Sequence, residues 1–138
     1  DVDDIIMVLR SFPIRVGGNS GPLPNEINWD KVTEKSGSLT SIIELTSVTQ
    51  KIRRVAEIDP YIVRKAIEIN NPTRLILNHA DYFDSSCHGE KMTNKILDEI
   101  YRIEGLIKKR IDFIGINNKN LIEAKKIKQA IVYENKVI

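Results

Sequence analysis

The sequence predicts an α/β fold, because strand-like and helix-like segments alternate along the chain. The clearest unit places an amphipathic helix at residues 60–69 between two apolar strand-like runs, at residues 42–45 and 74–78. A longer helix at residues 92–109 then leads into a third apolar run at residues 111–116. This order of elements favours a sheet that buries an apolar face under its helices.

The N-terminal part is predicted to contribute a strand, a loop and a short helix. Residues 5–12 are rich in apolar and β-branched side chains, so we expect a buried strand that ends near Pro13. Residues 16–24 combine glycine, asparagine and proline, which is typical of a loop with an exposed backbone. Asn28 is a candidate N-cap for a helix at residues 29–35.

The helix at residues 60–69 has the clearest boundaries. Asp59 is a suitable N-cap, and Pro60 suits the first helical position. The run Asn-Asn-Pro at residues 70–72 is a stop signal. Its apolar stripe consists of Ile62, Val63, Ala66, Ile67 and Ile69. We therefore expect a helix with one buried face.

The C-terminal part is predicted to contain two helices and one strand. A polar loop at residues 85–90 precedes the first of these helices, whose isoleucines recur at three- and four-residue steps. These are Ile96, Ile100, Ile103 and Ile107. Residues 111–116 follow as the strand, and residues 117–120 form a turn into a final helix at residues 121–131. No element is assigned to residues 132–138.

Size and composition fit one soluble domain. A chain of 138 residues can bury a working core without disulfides or metals. Its 21 basic and 19 acidic residues give a net charge of +2, which argues against nucleic-acid binding because that needs a dense cationic face. No apolar run is long enough to span a membrane, and the single Cys87 cannot form an internal disulfide. We therefore expect a cytoplasmic protein.

The most informative segment is a cationic loop, residues 46–54, just before the best-defined helix. Lys51, Arg53 and Arg54 place three positive charges within four residues. The planar fork of arginine matches carboxylate or phosphate oxygens in pairs, and loop amides supply further donors. The segment therefore suits a free amino-acid carboxylate or a nucleotide phosphate. The alternative is an ordinary solvated basic loop.

Asp81 follows the apolar strand at residues 74–78, at the end where open α/β sheets bind ligands. An ionised carboxylate accepts two parallel hydrogen bonds, and guanine presents N1–H and its exocyclic amine side by side. Adenine has an acceptor in place of N1–H, so a single Asp can select guanine over adenine. The alternative is a turn-forming Asp with no ligand.

Three other kinds of site are not supported by the sequence. A structural zinc site needs about four ligands at regular spacing, whereas His79, His88 and Cys87 are the only His and Cys residues. The glycine-rich loop at residues 17–21 lacks the Gly-Lys-Ser or Gly-Lys-Thr ending of a P-loop. Neither His belongs to a motif that activates a Ser or Cys nucleophile. No metal ligand is assigned.

Four segments resemble, in order, parts of the C-terminal region of adenylosuccinate synthetase. They are residues 10–17, 21–26, 46–66 and 77–81. The third segment runs without a gap against the family pattern, whereas residues 113–116 resemble only the short forms of the family. The resemblance implies an α/β, P-loop NTPase-like synthetase fold of which only the C-terminal strands and helices are present. It also implies that residues 1–138 are the C-terminal portion of such a ligase.

Enzymes of this family use GTP to phosphorylate the purine oxygen of IMP, and the amino group of L-aspartate then displaces that phosphate to give adenylosuccinate. The resemblance implies aspartate contacts from Ser47, Val48, Thr49, Gln50, Lys51, Ile52 and Arg53. It implies IMP contacts from Val16, Gly17 and Lys51. It implies GTP contacts from Arg53, His79, Ala80, Asp81, Gly115 and Asn117. In this comparison Asp81 matches the carboxylate that recognises guanine.

The chain departs from the family pattern at several of these positions. Val48 replaces a threonine, Gln50 replaces a glycine and Lys51 replaces an arginine, which loses bidentate geometry. His79 replaces the lysine that packs on guanine, and the insertion at residues 18–20 lengthens the glycine loop. These changes resemble a short, divergent branch that joins aspartate to dGMP with ATP. That substrate set is the alternative to IMP and GTP.

The N-terminal nucleotide loop, the catalytic Asp and the catalytic His of the family have no counterpart here. The chain also begins at Asp1, as a piece cut from a longer protein would. We therefore expect no catalytic residue in this chain, Mg²⁺ bound by the missing part, no activity of the piece alone, and a homodimeric intact protein.

A catalytically dead nucleotide-binding module is a second alternative to an active ligase.

Two expectations concern geometry. The cationic loop should be mobile without ligand, and Arg53 and Asp81 should face one cleft.

Overall fold

The computed structural model describes residues 1–88 and 92–126 of the chain. Within them the helices are α1 (Trp29–Ser36), α2 (Pro60–Asn70) and α3 (Asn94–Ile107). The strands are β1 (Ile6–Arg10), β2 (Ile14–Arg15), β3 (Glu26–Ile27), β4 (Arg54–Ala56), β5 (Arg74–Asn78), β6 (Phe113–Ile116) and β7 (Asn120–Glu123). A 3-10 turn, Ala80–Tyr82, follows β5.

The main sheet has the strand order β1-β5-β6-β7. Strands β1, β5 and β6 are parallel, and β7 runs antiparallel to β6. Because parallel strands end at the same edge, the carboxyl ends at Arg10, Asn78 and Ile116 lie side by side. The mixed α/β architecture predicted from the sequence is confirmed.

A second, smaller sheet has the order β2-β4-β3 and is antiparallel. Val55 in β4 pairs with Ile14 on one side and with Ile27 on the other. The segment that follows β1 therefore returns next to the end of the cationic loop. Arg54 belongs to β4, so it is a strand residue and not part of a free loop.

The core lies on one face of the main sheet. Helix α3 buries the four isoleucines predicted from their spacing, Ile96, Ile100, Ile103 and Ile107. They belong to the same apolar cluster as Leu75, Leu77 and Ile114 of the central strands. Alternate residues point to the other face, where Ile6, Val8 and Leu121 are 56%, 57% and 57% exposed.

The predicted helix boundaries are confirmed where the signals were local. The Asp59 carboxylate accepts hydrogen bonds from the amides of Tyr61 and Ile62, and α2 ends where Asn71 adopts a left-handed backbone conformation. The Asn28 side chain accepts from the Lys31 amide at 3.0 Å and caps α1. These caps satisfy amides that a helix leaves unpaired at its first turn.

The predicted strand at residues 42–45 is wrong. Leu45 makes one isolated antiparallel bridge with Ile52, and the Ile42 amide donates to the Thr33 hydroxyl at 2.9 Å. The apolar side chains suggested a strand, but Ile43 is 50% exposed and its segment pairs with no sheet among the described residues. Tertiary packing has therefore overridden a local β preference.

The predicted helix at residues 121–131 is also wrong at its start. Residues Asn120–Glu123 form β7, in which Ile122 pairs with Ile114. Asn117 has a left-handed φ of 53°, and its side chain accepts from the Lys119 and Asn120 amides. This tight turn sends the chain back along β6, so cross-strand pairing replaces the helix. Residues 127–138 and residues 89–91 lie outside the described part.

Two strands and one helix are shorter than predicted. The strand predicted at residues 5–12 is β1, the strand at residues 111–116 is β6, and the helix at residues 92–109 is α3. Differences of a few residues at element ends are normal, because terminal residues fray.

Candidate functional site

The turn after β5, residues 78–82, is anchored firmly to the sheet and is called the post-β5 turn below. The Ser11 amide donates to the Asn78 carbonyl at 2.9 Å, and the Ser11 hydroxyl donates to the His79 carbonyl at 2.6 Å. His79 has a left-handed φ of 59°, and Ala80 is fully buried. The segment after β1 thus fixes the backbone that carries Asp81.

Asp81 and Asn117 come together at the carboxyl ends of β5 and β6. The Asn117 amide donates to Asp81 Oδ1 at 3.0 Å. Both residues line a cavity of about 370 Å³. The other residues lining it are Ser38, Ile42, Tyr82, Ser85, Cys87 and His88. The two predicted base-contacting residues therefore share one opening, although they are 36 positions apart in the sequence.

Gly115 has a visible packing role beside this cavity. A Cβ atom at this position would lie 2.2 Å from Asn78 Oδ1, which itself accepts from the His79 amide at 3.1 Å. Gly115 is buried, so its visible role is in packing. Its absence of a side chain leaves room for Asn78, and through Asn78 it shapes the post-β5 turn.

His79 stacks obliquely on Tyr82, with ring centroids 5.1 Å apart. Burial lowers the pKa of His79, and the Arg10 charge lowers it further, while Glu44 and Asp81 act in the opposite direction. The imidazole is therefore favoured in its neutral form. A neutral aromatic ring stands here in place of the lysine that the family resemblance leads one to expect.

The cationic loop folds back on itself. The Thr46 amide donates to the Lys51 carbonyl at 2.9 Å, and the Lys51 amide donates to the Thr46 hydroxyl at 3.0 Å. The Thr46 and Thr49 hydroxyls are 2.6 Å apart. Gln50, where the family resemblance places glycine, has a left-handed φ of 53°. Ser47 and Val48 lie at the exposed tip, Val48 at 91% exposure.

Gly17 brings the glycine loop against the cationic loop. A Cβ atom at Gly17 would lie only 2.5 Å from the Ile52 carbonyl oxygen. Val16, next to it, is 58% exposed. The residues predicted to contact IMP therefore lie directly beside Lys51 and Ile52 of the segment predicted to bind aspartate.

The three cations of the loop have different partners. Arg54 makes a two-pronged pair with the Glu26 carboxylate, at 2.8 Å and 2.6 Å, and this hydrogen bond is the main cause of a lowered Glu26 pKa. Arg54 also donates to the Ser20 hydroxyl and the Gly21 carbonyl, within the lengthened glycine loop. Arg54 is thus committed to the structure. Among the described residues, the Lys51 side chain has no hydrogen-bond or ion-pair partner.

Arg53 lies between the two groups of candidate residues. Its Nε donates to the Leu45 carbonyl at 3.2 Å and lies 4.0 Å from Glu44 Oε2. Arg53 is not among the residues that line the Asp81 cavity, so this cavity is not the cleft that Arg53 and Asp81 were expected to share. Its connection to that cavity runs through Glu44 and Tyr82, whose hydroxyl donates to Glu44 Oε1 at 2.8 Å.

Glu44 is the residue that sequence reasoning missed. Its carboxylate also accepts from Arg10 at the end of β1, and its side chain is only 17% exposed. Burial and the bond to Glu44 raise the pKa of Tyr82 well above its ordinary value. The signal available was an acidic residue within an apolar run, just before the cationic loop. Glu44 was missed because residues 42–45 were interpreted as an apolar strand.

The segments that form this site also match a known family. The family model for adenylosuccinate synthetase matches residues 1–88 of the chain. This chain belongs to the adenylosuccinate synthetase family. The match includes the glycine loop, the cationic loop and the post-β5 turn, so the resemblance noted from the sequence is confirmed.

Two members of the adenylosuccinate synthetase family are similar over most of the chain. The enzyme of Methanocaldococcus jannaschii is 37% identical over 98 residues, which is 71% of this chain and 26% of that protein. The enzyme of Archaeoglobus fulgidus is 32% identical over 133 residues, which is 92% of this chain and 37% of that protein. The chain thus spans 26% and 37% of the length of these two relatives.

Two solved structures confirm the synthetase fold. One is the cyanophage S-2L succinoaminodeoxyadenylate synthetase (PurZ) bound to dGMP and dATP, with a TM-score of 0.61 and 21% identity. The other is the fully ligated adenylosuccinate synthetase of Plasmodium falciparum, with a TM-score of 0.63 and 20% identity. The similarity covers 92% and 88% of this chain, and 36% and 40% of those chains.

Membrane-spanning helices and metal-binding clusters are both lacking in the described part of the chain. In residues 1–88 and 92–126, no helix is both long and apolar enough to cross a membrane. In the same residues, no three His, Cys, Asp or Glu side chains are grouped so that they could hold a metal ion.

Proposed function

We propose that this chain is the C-terminal portion of a ligase that joins L-aspartate to a purine nucleoside monophosphate at the expense of a nucleoside triphosphate. The first substrate set is IMP with GTP, and the product is then adenylosuccinate. The observation that carries the proposal is the placement of Gly17 against Ile52, which brings the two predicted substrate loops into contact. Family membership supports the reaction class.

Aspartate would be held by the cationic loop. Lys51 and Arg53 are the charged groups near its end, and neither is locked into a two-pronged pair as Arg54 is. Two carboxylates of the amino acid need two cations or several amides, and the loop offers both. We assign this role to Ser47, Val48, Thr49, Gln50, Lys51, Ile52 and Arg53.

The monophosphate substrate would contact the glycine loop. Val16 and Gly17 offer backbone groups, and Lys51 offers a charge that reaches both this substrate and aspartate. Gly17 suits this role because a side chain there would collide with the Ile52 carbonyl. A larger residue at this position would push the glycine loop and the cationic loop apart.

The triphosphate's base would occupy the cavity beside Asp81. Asp81 Oδ2 accepts no hydrogen bond from the described residues, and Oδ1 accepts one, from Asn117. The carboxylate therefore keeps acceptor capacity for guanine N1–H and the exocyclic amine. His79 and Asn117 keep exposed surface near Asp81 and would contact the base. Ala80 and Gly115 are buried and would shape the site, while Arg53, which does not line this cavity, would reach the triphosphate from the cationic loop.

In the proposed reaction, the γ-phosphoryl group moves to the purine oxygen, and the amine of aspartate then displaces it as inorganic phosphate. The catalytic acid and base, and the Mg²⁺ that the family uses, would belong to the part of the ligase outside this chain. We therefore propose that the chain alone is inactive and that the intact ligase is a cytoplasmic homodimer. This chain's residues bind and orient the reactants.

A second substrate set, dGMP with ATP, is favoured by specific observations. Lys51 and His79 both depart from the family pattern, and the half-buried imidazole has a lowered pKa, so no lysine charge stands beside the base. One structural neighbour carries dGMP and dATP. A nucleotide-binding module without catalysis is a third candidate, favoured only by the substitutions in the cationic loop.

Phosphate release by the full-length protein tests the proposal. It would be measured with IMP or dGMP, with GTP or ATP, and with and without L-aspartate. We expect aspartate-dependent phosphate release for one pair of nucleotides, and that pair identifies the substrates. If no combination releases phosphate in response to aspartate while nucleotide still binds, the ligase proposal fails and the binding module replaces it.

A further inference from the structure

We infer that Glu44 is a positioning residue that ties the cationic loop to the post-β5 turn and so keeps two ligand subsites in register. The inference rests on the proposed function, because those subsites are the ones assigned there to aspartate and to the base. Glu44 itself belongs to neither set of predicted ligand contacts. Its position is between them.

Glu44 contacts the cationic loop through both its backbone and its side chain. The Arg53 amide donates to the Glu44 carbonyl at 2.9 Å, and the Arg53 guanidinium lies 4.0 Å from Glu44 Oε2. Backbone and side chain of Glu44 therefore act on the same arginine. This is the arginine that we assign to both the aspartate and the triphosphate.

Glu44 also contacts the post-β5 turn, through Tyr82. The Tyr82 hydroxyl donates to Glu44 Oε1 at 2.8 Å, and Tyr82 lines the same cavity as Asp81. The Tyr82 ring also lies 5.1 Å from the His79 ring. If the Glu44 carboxylate moved, Tyr82 would lose its hydrogen-bond acceptor, and the post-β5 turn would shift with it.

Glu44 belongs to a closed set of contacts with Arg53, Trp29 and Tyr82. Trp29 donates from its indole nitrogen to the Arg53 carbonyl at 2.7 Å and meets the Tyr82 ring edge-on, with centroids 6.3 Å apart. Glu44, Arg53, Trp29 and Tyr82 thus form a ring in which each touches the next. A ring of this kind transmits a shift at one member to the others more strongly than a single bond does.

The negative charge of Glu44 also helps to hold Arg53 in place. The Glu44 carboxylate stands between two guanidinium groups, those of Arg10 and Arg53, and its side chain is mostly buried. Without its charge the two cations would face a neutral group in a partly desolvated place, which is unfavourable. Arg53 would then be expected to turn towards solvent, away from the position assigned to it.

The test uses the full-length protein and the variants Glu44→Gln and Tyr82→Phe. Glu44→Gln keeps the side-chain shape and removes the charge. We expect the KM for aspartate and the KM for the triphosphate each to rise roughly fivefold to tenfold, with a smaller change in kcat. Tyr82→Phe should raise mainly the KM for the triphosphate. The double variant should show less than the product of the two effects, because both substitutions weaken the same contact between Tyr82 and Glu44.

A second measurement does not depend on turnover. Trypsin cleaves after Lys51 and Arg53, and the initial rate at these bonds reports how firmly the loop is held. We expect Glu44→Gln to raise this rate roughly threefold or more. The matched control is Glu68→Gln on α2, which removes an exposed carboxylate paired only with Lys65 among the described residues. It should change neither the KM values nor the cleavage rate.

The outcomes separate the two hypotheses. If the wild-type protein shows no aspartate-dependent phosphate release, the proposed function fails, and the cleavage rate alone decides the role of Glu44. If Glu44→Gln lowers the melting temperature but leaves the cleavage rate equal to that of Glu68→Gln, the positioning role is overturned. Unchanged KM values in an active enzyme would overturn it as well.

Discussion

The post-β5 turn and the cationic loop differ in how they are held. The post-β5 turn is anchored by bonds from other strands, such as that from Ser11 to the His79 carbonyl at 2.6 Å, and Ala80 in it is fully buried. The cationic loop is held at its tip mainly by bonds between its own residues, such as that from Lys51 to Thr46, and Val48 is 91% exposed. The proposed base side is therefore anchored by the sheet, whereas we expect the proposed aspartate side to rearrange more easily.

This contrast follows from position in the fold. The post-β5 turn begins at the carboxyl end of a central strand, so its neighbours on both sides belong to the sheet. The cationic loop projects beyond the small sheet, and β4 begins only at Arg54. Loops of this kind open at low free-energy cost and often close on ligand. The expected mobility of residues 46–54 without ligand stays a prediction.

The largest effect should come from the charge of Arg53 in the cationic loop. Arg53→Ala in the full-length protein should lower kcat/KM for aspartate roughly a hundredfold, because a charge-assisted contact to a carboxylate would be lost. Arg102→Ala, on the exposed side of α3, is the matched control and should have little effect. Steady-state kinetics with varied aspartate measures both. Equal behaviour of the two variants would show that Arg53 does not bind substrate.

The next effect concerns the base side. Asp81→Asn should reduce any preference for GTP over ATP by about tenfold or more, since an amide offers one acceptor and one donor where guanine needs two acceptors. Asparagine can still accept from the Asn117 amide, so the turn itself should survive. Asp98→Asn on α3 is the control. Competition between the two triphosphates gives the ratio directly, and an unchanged ratio would remove Asp81 from base recognition.

A pair of glycines tests whether the base side depends on close packing. Gly115→Ala should destabilise the protein by about 1–3 kcal/mol, because its Cβ would lie 2.2 Å from Asn78 Oδ1. A Cβ atom at Gly105, in α3, would meet no other atom within 4 Å, so Gly105→Ala should stabilise by about 0.5–1 kcal/mol. Urea unfolding measures both. A neutral Gly115→Ala would mean that Asn78 is easily displaced.

The smallest effect is a dependence of stability on pH. Burial lowers the pKa of His79 in the folded state below its ordinary value of 6.5, so the unfolded chain binds the proton more readily. The stability contribution of the neutral ring is present above pH 6.5 and is lost as the pH falls towards the lower, folded pKa. His79→Gln should flatten this part of the stability curve, compared with His88→Gln at an exposed position. Urea midpoints from about pH 5 to about pH 7.5 test this.

Local signals predicted much of the fold correctly. Helix α2 was predicted with its cap and its stop, because Asp59, Pro60 and Asn71 act within their own turn of the chain. The face of α3 was predicted because burial follows the helical repeat. Strand β7 was not predicted, because its conformation depends on pairing with β6 and not on its own composition.

The candidate site divides in the same way. Asp81, Lys51 and Arg53 were singled out by residue type and by place in the sequence, and the family resemblance added Gly17 and Asn117. Glu44 was missed, because its importance comes from Arg10 and Tyr82, which lie 34 and 38 positions away. No local pattern marks such a partner.

The sequence alone thus determined the helices α1, α2 and α3, the segments that carry charge and the family that the chain resembles, since these depend on neighbours within a few residues. Only the tertiary structure decided that β7 pairs with β6, that Arg54 serves the framework, and that Glu44 connects two loops. The physical reason is that these features depend on contacts between distant segments. Such contacts form only when the sheets and the core bring those segments together.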